Sequence, residues 1–214
     1  MFFELTDLLT CPRCGPGHGL ILLVQEVEER RVRSGWLGCP GCRHDYPVLD
    51  GLADLRLESE QTAVTAQPVR EDELALKILA LTGLAEERAY LLLDERIAHA
   101  ALEIVEMAPD LEVITVRESA GESETERHGI SRVLAREPFP LAEYRLRGVA
   151  VAPGGDAALV RAAARRLAVG GRLALFDATP EDVREVERSG LRIVAAEGTT
   201  AVAERSGGSL PVLG

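Results

Sequence analysis

The chain has 214 residues, a hydrophobic fraction of 46%, only 4% aromatic residues and a net charge of −11. That length holds one medium domain, or a small one followed by a medium one, and the composition suits an Ala/Val/Leu-rich α/β core. The acidic balance argues against a nucleic acid as partner, because non-specific binding needs a basic surface that releases phosphate counterions. No apolar run approaches the ~18 residues of a membrane span, although association with the surface of a membrane stays open. The opening Met1-Phe2-Phe3-Glu4-Leu5-Thr6-Asp7 has no basic stretch followed by an apolar run. An export signal is therefore not expected, and a reducing, cytoplasmic setting is.

In chain order, the first signal is the cysteines. All four fall in two pairs of equal spacing, Cys11-Pro12-Arg13-Cys14 and Cys39-Pro40-Gly41-Cys42. Two such knuckles offer four thiolates, enough to close a tetrahedron around one metal ion. Zinc is the first expectation, and iron is the chemical rival in a four-thiolate site. Disulfides, a redox dithiol or unused thiols are the other readings, and disulfides need an oxidising compartment. Between the pairs, residues 20–28 and 31–38 read as two strands of a hairpin with a tight polar turn. Arg30, Arg31 and Arg33 read as its solvated end. Trp36 is expected to pack on the apolar side of the metal site. His44 is either a spare ligand or a surface residue, and His18 reads as loop. Pro47 favours extended backbone at Tyr46, and Asp50-Gly51 is a turn signal. A module of about 50 residues buries too little surface to fold without its metal.

Residues 57–70 are polar and aperiodic and read as a linker. Glu71-Asp72-Glu73 open a helix to about Thr82, with acids at the positive end of the helix dipole and Gly83 as its stop. Short apolar strands and helices then alternate. The strands expected are 90–93, 111–116, 130–135, 148–152 and 172–176. A helix is expected at 97–107, with Ala98, Ala101, Leu102 and Val105 on one face. Asp156 caps a further helix with Arg161, Arg165 and Arg166 on its polar face and Gly170-Gly171 as its stop. Thr179-Pro180-Glu181-Asp182 starts the last helix. Residues 191–196 and 200–204 read as an antiparallel pair. This alternation predicts an α/β fold with a mostly parallel, doubly wound sheet.

Leu9-Thr10-Cys11-Pro12-Arg13-Cys14, Cys39-Pro40-Gly41-Cys42 and the tail Tyr46-Pro47-Val48-Leu49-Asp50-Gly51 resemble the Trm112-type zinc-ribbon family. Members of that family are small activators of methyltransferases, and the resemblance implies Cys11, Cys14, Cys39 and Cys42 as metal ligands. Residues 164–173, Ala-Arg-Arg-Leu-Ala-Val-Gly-Gly-Arg-Leu, resemble the passage into the fifth strand of class I S-adenosylmethionine-dependent methyltransferases, with Val169 in place of the usual Pro. Pro138-Phe139-Pro140-Leu141 and the closing hairpin are similar to the same family. The two resemblances imply an N-terminal zinc ribbon (1–56), a linker (57–70), a Rossmann-like methyltransferase domain (71–206) and a C-terminal tail (207–214).

The methyltransferase resemblance implies S-adenosylmethionine as cofactor, and the residues argue against it. The turn after the first strand, Leu93-Asp94-Glu95-Arg96-Ile97-Ala98, contains no glycine. Glycine supplies positive φ and close backbone approach to a nucleotide-type ligand. Asp94 and Glu95 instead suit a helix N-terminus. Glu118 matches the acid that holds the cofactor ribose, and an acid at a strand end is common by chance. Residues 119–128 lack apolar periodicity, so the next helix is expected to be lost. His99 and His128 read as surface residues. The expected function is a non-catalytic zinc-binding adaptor or scaffold that contacts protein partners in a larger assembly. The rival is an active methyltransferase on RNA or a translation protein, with an atypical cofactor loop and an open crevice bordered by Glu118 and Pro153-Gly154-Gly155. A third reading is a metal-stabilised module that binds another small ligand in that crevice.

Overall fold

The computed structural model describes residues 1–57, 67–84, 89–119, 127–135 and 139–207. Four strands come first: β1 (Ile21–Glu28), β2 (Arg31–Gly38), β3 (Asp45–Leu49) and β4 (Leu52–Asp54). They form an antiparallel meander. The β3–β4 turn has positive φ at Asp50 (48°) and Gly51 (72°), the twist a two-residue hairpin turn requires. The α/β part follows as α1 (Leu74–Thr82), β5 (Tyr90–Leu93), α2 (Ala101–Met107), β6 (Glu112–Arg117) and β7 (Ile130–Leu134). It closes with β8 (Leu146–Val151), α3 (Ala157–Arg166), β9 (Leu167–Leu175), α4 (Pro180–Arg188), β10 (Arg192–Glu197) and β11 (Thr200–Glu204).

All eleven strands join one sheet in the order β1-β2-β3-β4-β7-β6-β5-β8-β9-β11-β10. The five strands β7, β6, β5, β8 and β9 are mutually parallel, and β11 returns antiparallel between β9 and β10. This is the α/β, Rossmann-like methyltransferase arrangement, with the chain reversing its winding between β5 and β8. The N-terminal meander is continuous with it, because β4 pairs in parallel with β7 and matches Ala53 with Val133.

Two apolar clusters flank the sheet. One lies under α1 and α2 and holds Ile78, Leu91, Leu93, Ile104 and Phe176. The other packs α3 and α4 on the opposite face and runs on through Ile114, Val116 and Val133 to Leu5, Tyr46 and Cys11. Over the outer parallel strands that face is covered by the N-terminal segment, tied to residues 139–142 by Thr10 N–H to Pro140 O (2.9 Å) and Ala142 N–H to Leu8 O (2.7 Å).

Several local expectations change. The first helix begins at Leu74 because Glu73 is left-handed (φ 56°), so Glu71, Asp72 and Glu73 lie ahead of the first turn. The 97–107 helix opens as a 3-10 turn, Ala98–Ala100, before α2. The third helix ends at Arg166, where Leu167 is already extended. Gly170 and Gly171 lie within β9, and a Cβ at Gly171 would meet Leu146 O and Ala168 O at 2.9 Å. Asp156 caps α3 as expected, accepting from Ala158 and Leu159 N–H. Thr179 and Asp182 form a reciprocal capping box on α4. Arg166 is buried rather than on a polar face, and its Nε donates to Phe139 O at 3.0 Å. The segment 119–128 lies largely outside the described residues.

Arg31 also departs from its expected place at a solvated hairpin end. It is 4% exposed, and its Nη1 donates to both carboxylate oxygens of Glu112 at 2.8 and 2.9 Å. Glu112 also accepts from Ser131 Oγ at 2.5 Å, and Arg31 Nη2 donates to Ile130 O. The basic run is thus split between a buried tether to β6 and β7 and an exposed rim.

Candidate functional site

The first candidate is the cysteine cluster. Each knuckle is a tight turn closed the same way, by Gly15 N–H to Cys11 O (2.9 Å) and Arg43 N–H to Cys39 O (2.8 Å). Gly15 and Arg43 both carry positive φ, 88° and 59°, which turns the chain out of each knuckle just after its second cysteine. Cys11 N–H donates to His18 O and Cys39 N–H to His44 O, at 2.8 and 2.9 Å, so the loop histidines anchor the knuckles through their backbone. The four Sγ atoms lie within 4.8 Å of one another. Cys11 and Cys42 are 3.7 Å apart, and Cys14 and Cys39 3.8 Å. A tetrahedron with ligand bonds of about 2.3 Å has edges of about 3.8 Å, so the cluster fits a metal ion. No cysteine is in a disulfide.

Burial raises the Cys11 thiol, but hydrogen bonds to Tyr46, the Cys14 N–H, Cys39 and the Arg13 N–H outweigh it and bring it to about 7. Cys14 is pushed up to about 12 by burial and the neighbouring thiols. Four thiolates coexist in so small a volume only around a cation. The aromatic behind the cluster is Tyr46, 1% exposed, with Oη 3.4 Å from Cys11 Sγ. Trp36, expected in that role, points to the outer face and is 40% exposed. His44 stacks edge-on against Tyr46, ring centroids 4.7 Å apart. Among the described residues, the group positioned to hold a metal is Cys11, Cys14, Cys39 and Cys42.

The second candidate is the crevice at the C-terminal ends of β5 and β8, where ligands bind in open α/β sheets. Arg96 lies across it. Its Nη1 donates to Ala152 O at 2.9 Å, just past β8, and its Nη2 to Asp177 Oδ2 at 2.6 Å, just past β9. Its Nε donates to Gln67 O at 3.2 Å, and Val69 N–H donates to Arg96 O at 3.0 Å. Residues 67–69 are thereby strapped over the strand ends. Gly154 (φ 55°) makes room for this, since a Cβ there would sit 2.6 Å from Arg96 Nη1.

Asp94 and Glu95 do not cap a helix as expected. The 3-10 turn starts beyond them without a side-chain cap. Asp94 is buried, and its Oδ1 accepts from Ala152 N–H at 3.3 Å. Burial pushes its carboxyl up to about 7, against the opposing pull of the Ala152 N–H and of Arg96. Glu95 Oε2 accepts from Glu118 N–H at 3.2 Å. Glu118 sits one residue beyond β6 with an exposed side chain. The loop at 153–155 is held from below, where Asp182 Oδ2 accepts from Gly155 N–H at 2.9 Å. His99 is exposed on the 3-10 turn, and His128 lines a separate cavity of about 410 Å³ near Arg30 and Tyr90.

The role of Arg96 was open to sequence reasoning only as a missing glycine. Its partners come from positions 67, 152 and 177, which nothing in the local pattern brings together. Asp177 gave no signal, and the pairing of Gly154 with a side chain 58 residues earlier is visible only in three dimensions.

The sequence matches no family model and no curated protein. Solved structures match in fold. A precorrin-6y C5,15-methyltransferase from Geobacter metallireducens matches at 14% identity and TM-score 0.52, over 69% of this chain and 96% of that one. A chain of the complex between the Haloferax volcanii Trm112 methyltransferase activator and a candidate methyltransferase matches at 12% identity and TM-score 0.51, over 63% and 89%. A geranyl diphosphate methyltransferase solved with S-adenosylmethionine matches at 12% identity and TM-score 0.50, over 61% and 84%. These likenesses establish the methyltransferase fold. Among the described residues no helix is long and apolar enough to cross a membrane.

Proposed function

We propose that the chain is a zinc-bearing, non-catalytic binding or scaffolding subunit built on a methyltransferase fold. Residues 1–56 are its Trm112-like ribbon, 57–70 its linker, 71–206 its methyltransferase-like domain and 207–214 its tail. One observation carries the reading: Arg96, fixed by Ala152, Asp177 and Gln67, fills the strand-end crevice that a methyl donor would need. A donor would have to displace it. The bond to Ala152 O alone, at about 1.5 kcal/mol for a charged donor, weakens a competitor about tenfold, before the carboxylates of Asp94 and Glu95 are counted.

Zinc is the metal proposed, because four thiolates form a closed tetrahedral structural site. The zinc serves folding and takes no part in a reaction. We place the protein in the cytoplasm, where thiols stay reduced. The Haloferax complex unites an activator and a candidate methyltransferase as two proteins. Here the corresponding parts are joined in one sheet through β4 and β7, which leaves the remaining surface for other protein partners.

Isothermal titration with S-adenosylmethionine tests the reading. Wild-type protein is expected to give no binding in the micromolar range, while Arg96→Gly gains measurable affinity. Micromolar binding by the wild type refutes it. A second reading, an active methyltransferase with an atypical loop, draws on the position of Glu118 after β6 and on the fold shared with a methyltransferase solved with that cofactor. It predicts transfer of labelled methyl groups to RNA or translation proteins, which the first reading forbids.

A further inference from the structure

In a doubly wound sheet both faces are covered by helices. Among the described residues, one face of the closing hairpin has no helix packed over it. Helix α4 lies against β10 on one side. On the other, α1 lies mainly over β8 and β9. The pairing Ala195–Val202–Ala174 and its neighbour Glu197–Thr200 place Ala195, Val202, Thr200 and Glu197 on the α1 side of the sheet. Between them and the α1 residues Lys77, Ala80 and Leu81 runs an open groove of about 530 Å³. Its floor is small-chained, and Ala80, Ala195 and Glu197 are exposed. Leu76, one turn before Ala80, is 51% exposed and widens the apolar strip.

The charges at one end are unbalanced. Glu71 and Glu197 both line the groove, and Asp72 and Glu73 adjoin Glu71. Against these acids stand Arg70, which also adjoins Glu71, and Lys77, which lines the groove and is held by Glu71 at 2.7 Å. The opposite end is closer to neutral, because Glu204 sits between Arg172 and Arg192 at 3.8 and 4.0 Å. A floor of alanines lets a second backbone come close. We propose that this groove docks an amphipathic helix of a partner protein, with a small apolar face against Ala80, Ala195 and Val202 and basic residues toward Glu71 and Glu197. This deepens the binding-subunit reading, on which its role rests, by naming the surface and the chemistry of what it holds.

The probe is a fluorescein-labelled 14-residue helical peptide with alanine and leucine on one face and lysines at the flank. A second peptide carries glutamate in place of every lysine. Fluorescence anisotropy is expected to show at least tenfold tighter binding of the lysine peptide, weakened by 0.5 M salt. Amide shifts in nuclear magnetic resonance spectra are expected at Ala80, Ala195 and Val202. Ala195→Trp, at an exposed position that tolerates bulk, is expected to cost at least tenfold. Glu197→Lys is expected to remove most of the preference for lysine. Equal affinity for the two peptides, no shifts at those residues, or decanoate filling the groove in place of either peptide overturns the proposal. Running each titration with and without S-adenosylmethionine separates the two failures. Cofactor binding sinks the non-catalytic reading, whereas loss of the lysine preference sinks the groove.

Discussion

Asp94→Asn isolates the electrostatic cost of the filled crevice. Asp94 is 5% exposed and accepts from the Ala152 N–H, with the Arg96 N–H also turned toward it. Burial, partly offset by that N–H and by Arg96, lifts its carboxyl from 3.8 to about 7. Between about pH 4 and pH 7 the folded protein therefore holds a proton that the unfolded chain releases. The stability from this group is fully present below about pH 4 and is lost as the pH rises through about 7. The whole swing is about 3 units at 1.36 kcal/mol each, or about 4 kcal/mol. About two of those units lie between pH 5 and pH 8, which leaves about 3 kcal/mol in that window. Asparagine keeps an oxygen for the Ala152 N–H and carries no charge. Urea unfolding at pH 5 and pH 8 measures the effect. Groups elsewhere in the protein contribute alike to both proteins and cancel in their difference. The stability of Asp94→Asn relative to wild type should rise by about 2–3 kcal/mol from pH 5 to pH 8. A difference that does not move with pH refutes the argument that burial keeps this carboxyl protonated.

Two further outcomes follow from the N-terminal strands. Purified protein should carry one zinc per chain by elemental analysis, and a strong chelator, or Cys11→Ser, should speed hydrogen exchange across β2 and β3; unchanged exchange would mean that the cluster does not hold these strands. Arg31→Met should cost about 3–5 kcal/mol in urea unfolding, since it leaves Glu112 buried and unpaired. Adding Glu112→Leu should recover much of that loss, and no recovery would show that Arg31 acts through packing instead.

What could be read from the residues divides by distance along the chain. Most strands came out within one or two residues, as at Tyr90–Leu93 and Arg192–Glu197, but β9 starts at Leu167, five residues before the start expected from the Gly170-Gly171 stop. Caps with a local mechanism, Asp156 and the Thr179–Asp182 box, came out in full. The convergence of the four cysteines did too, because two short knuckles fix most of its geometry. Failures occurred where a side chain's fate depends on a remote partner. Arg31 looks like any charged hairpin residue until β6 and β7 deliver Glu112 and Ser131. Trp36 and Tyr46 are both aromatics beside a knuckle, and strand register alone decides which faces inward. In β2, Gly35 and Leu37 are buried while Trp36 between them is exposed.

The same reasoning explains why the crevice had to be seen. The missing glycine at 94–97 predicts poor backbone approach, a negative statement that leaves the space undescribed. The structure fills it with a specific object: a guanidinium whose acceptors follow β8 and β9 and whose own backbone holds residues 67–69. Its support continues away from the crevice. Leu92, one residue before the end of β5, belongs to the apolar cluster that runs through Ile114 and Val133 to Ala53, Tyr46 and Cys11. Packed interiors behave as close-packed solids, so the wall behind Arg96 and the cysteine cluster rest on one continuous core. The short strand β4 makes that continuity possible. Without it β7 would end the sheet as an open parallel edge, which invites pairing with other chains. With it the exposed edge passes to β1, antiparallel and carrying Glu26 and Glu28 beside the exposed Ile21, Leu23, Val24 and Val27. The N-terminal strands therefore cover the parallel edge at β7 and move the open edge to β1, and that structural task is independent of whether a methyl group is ever transferred.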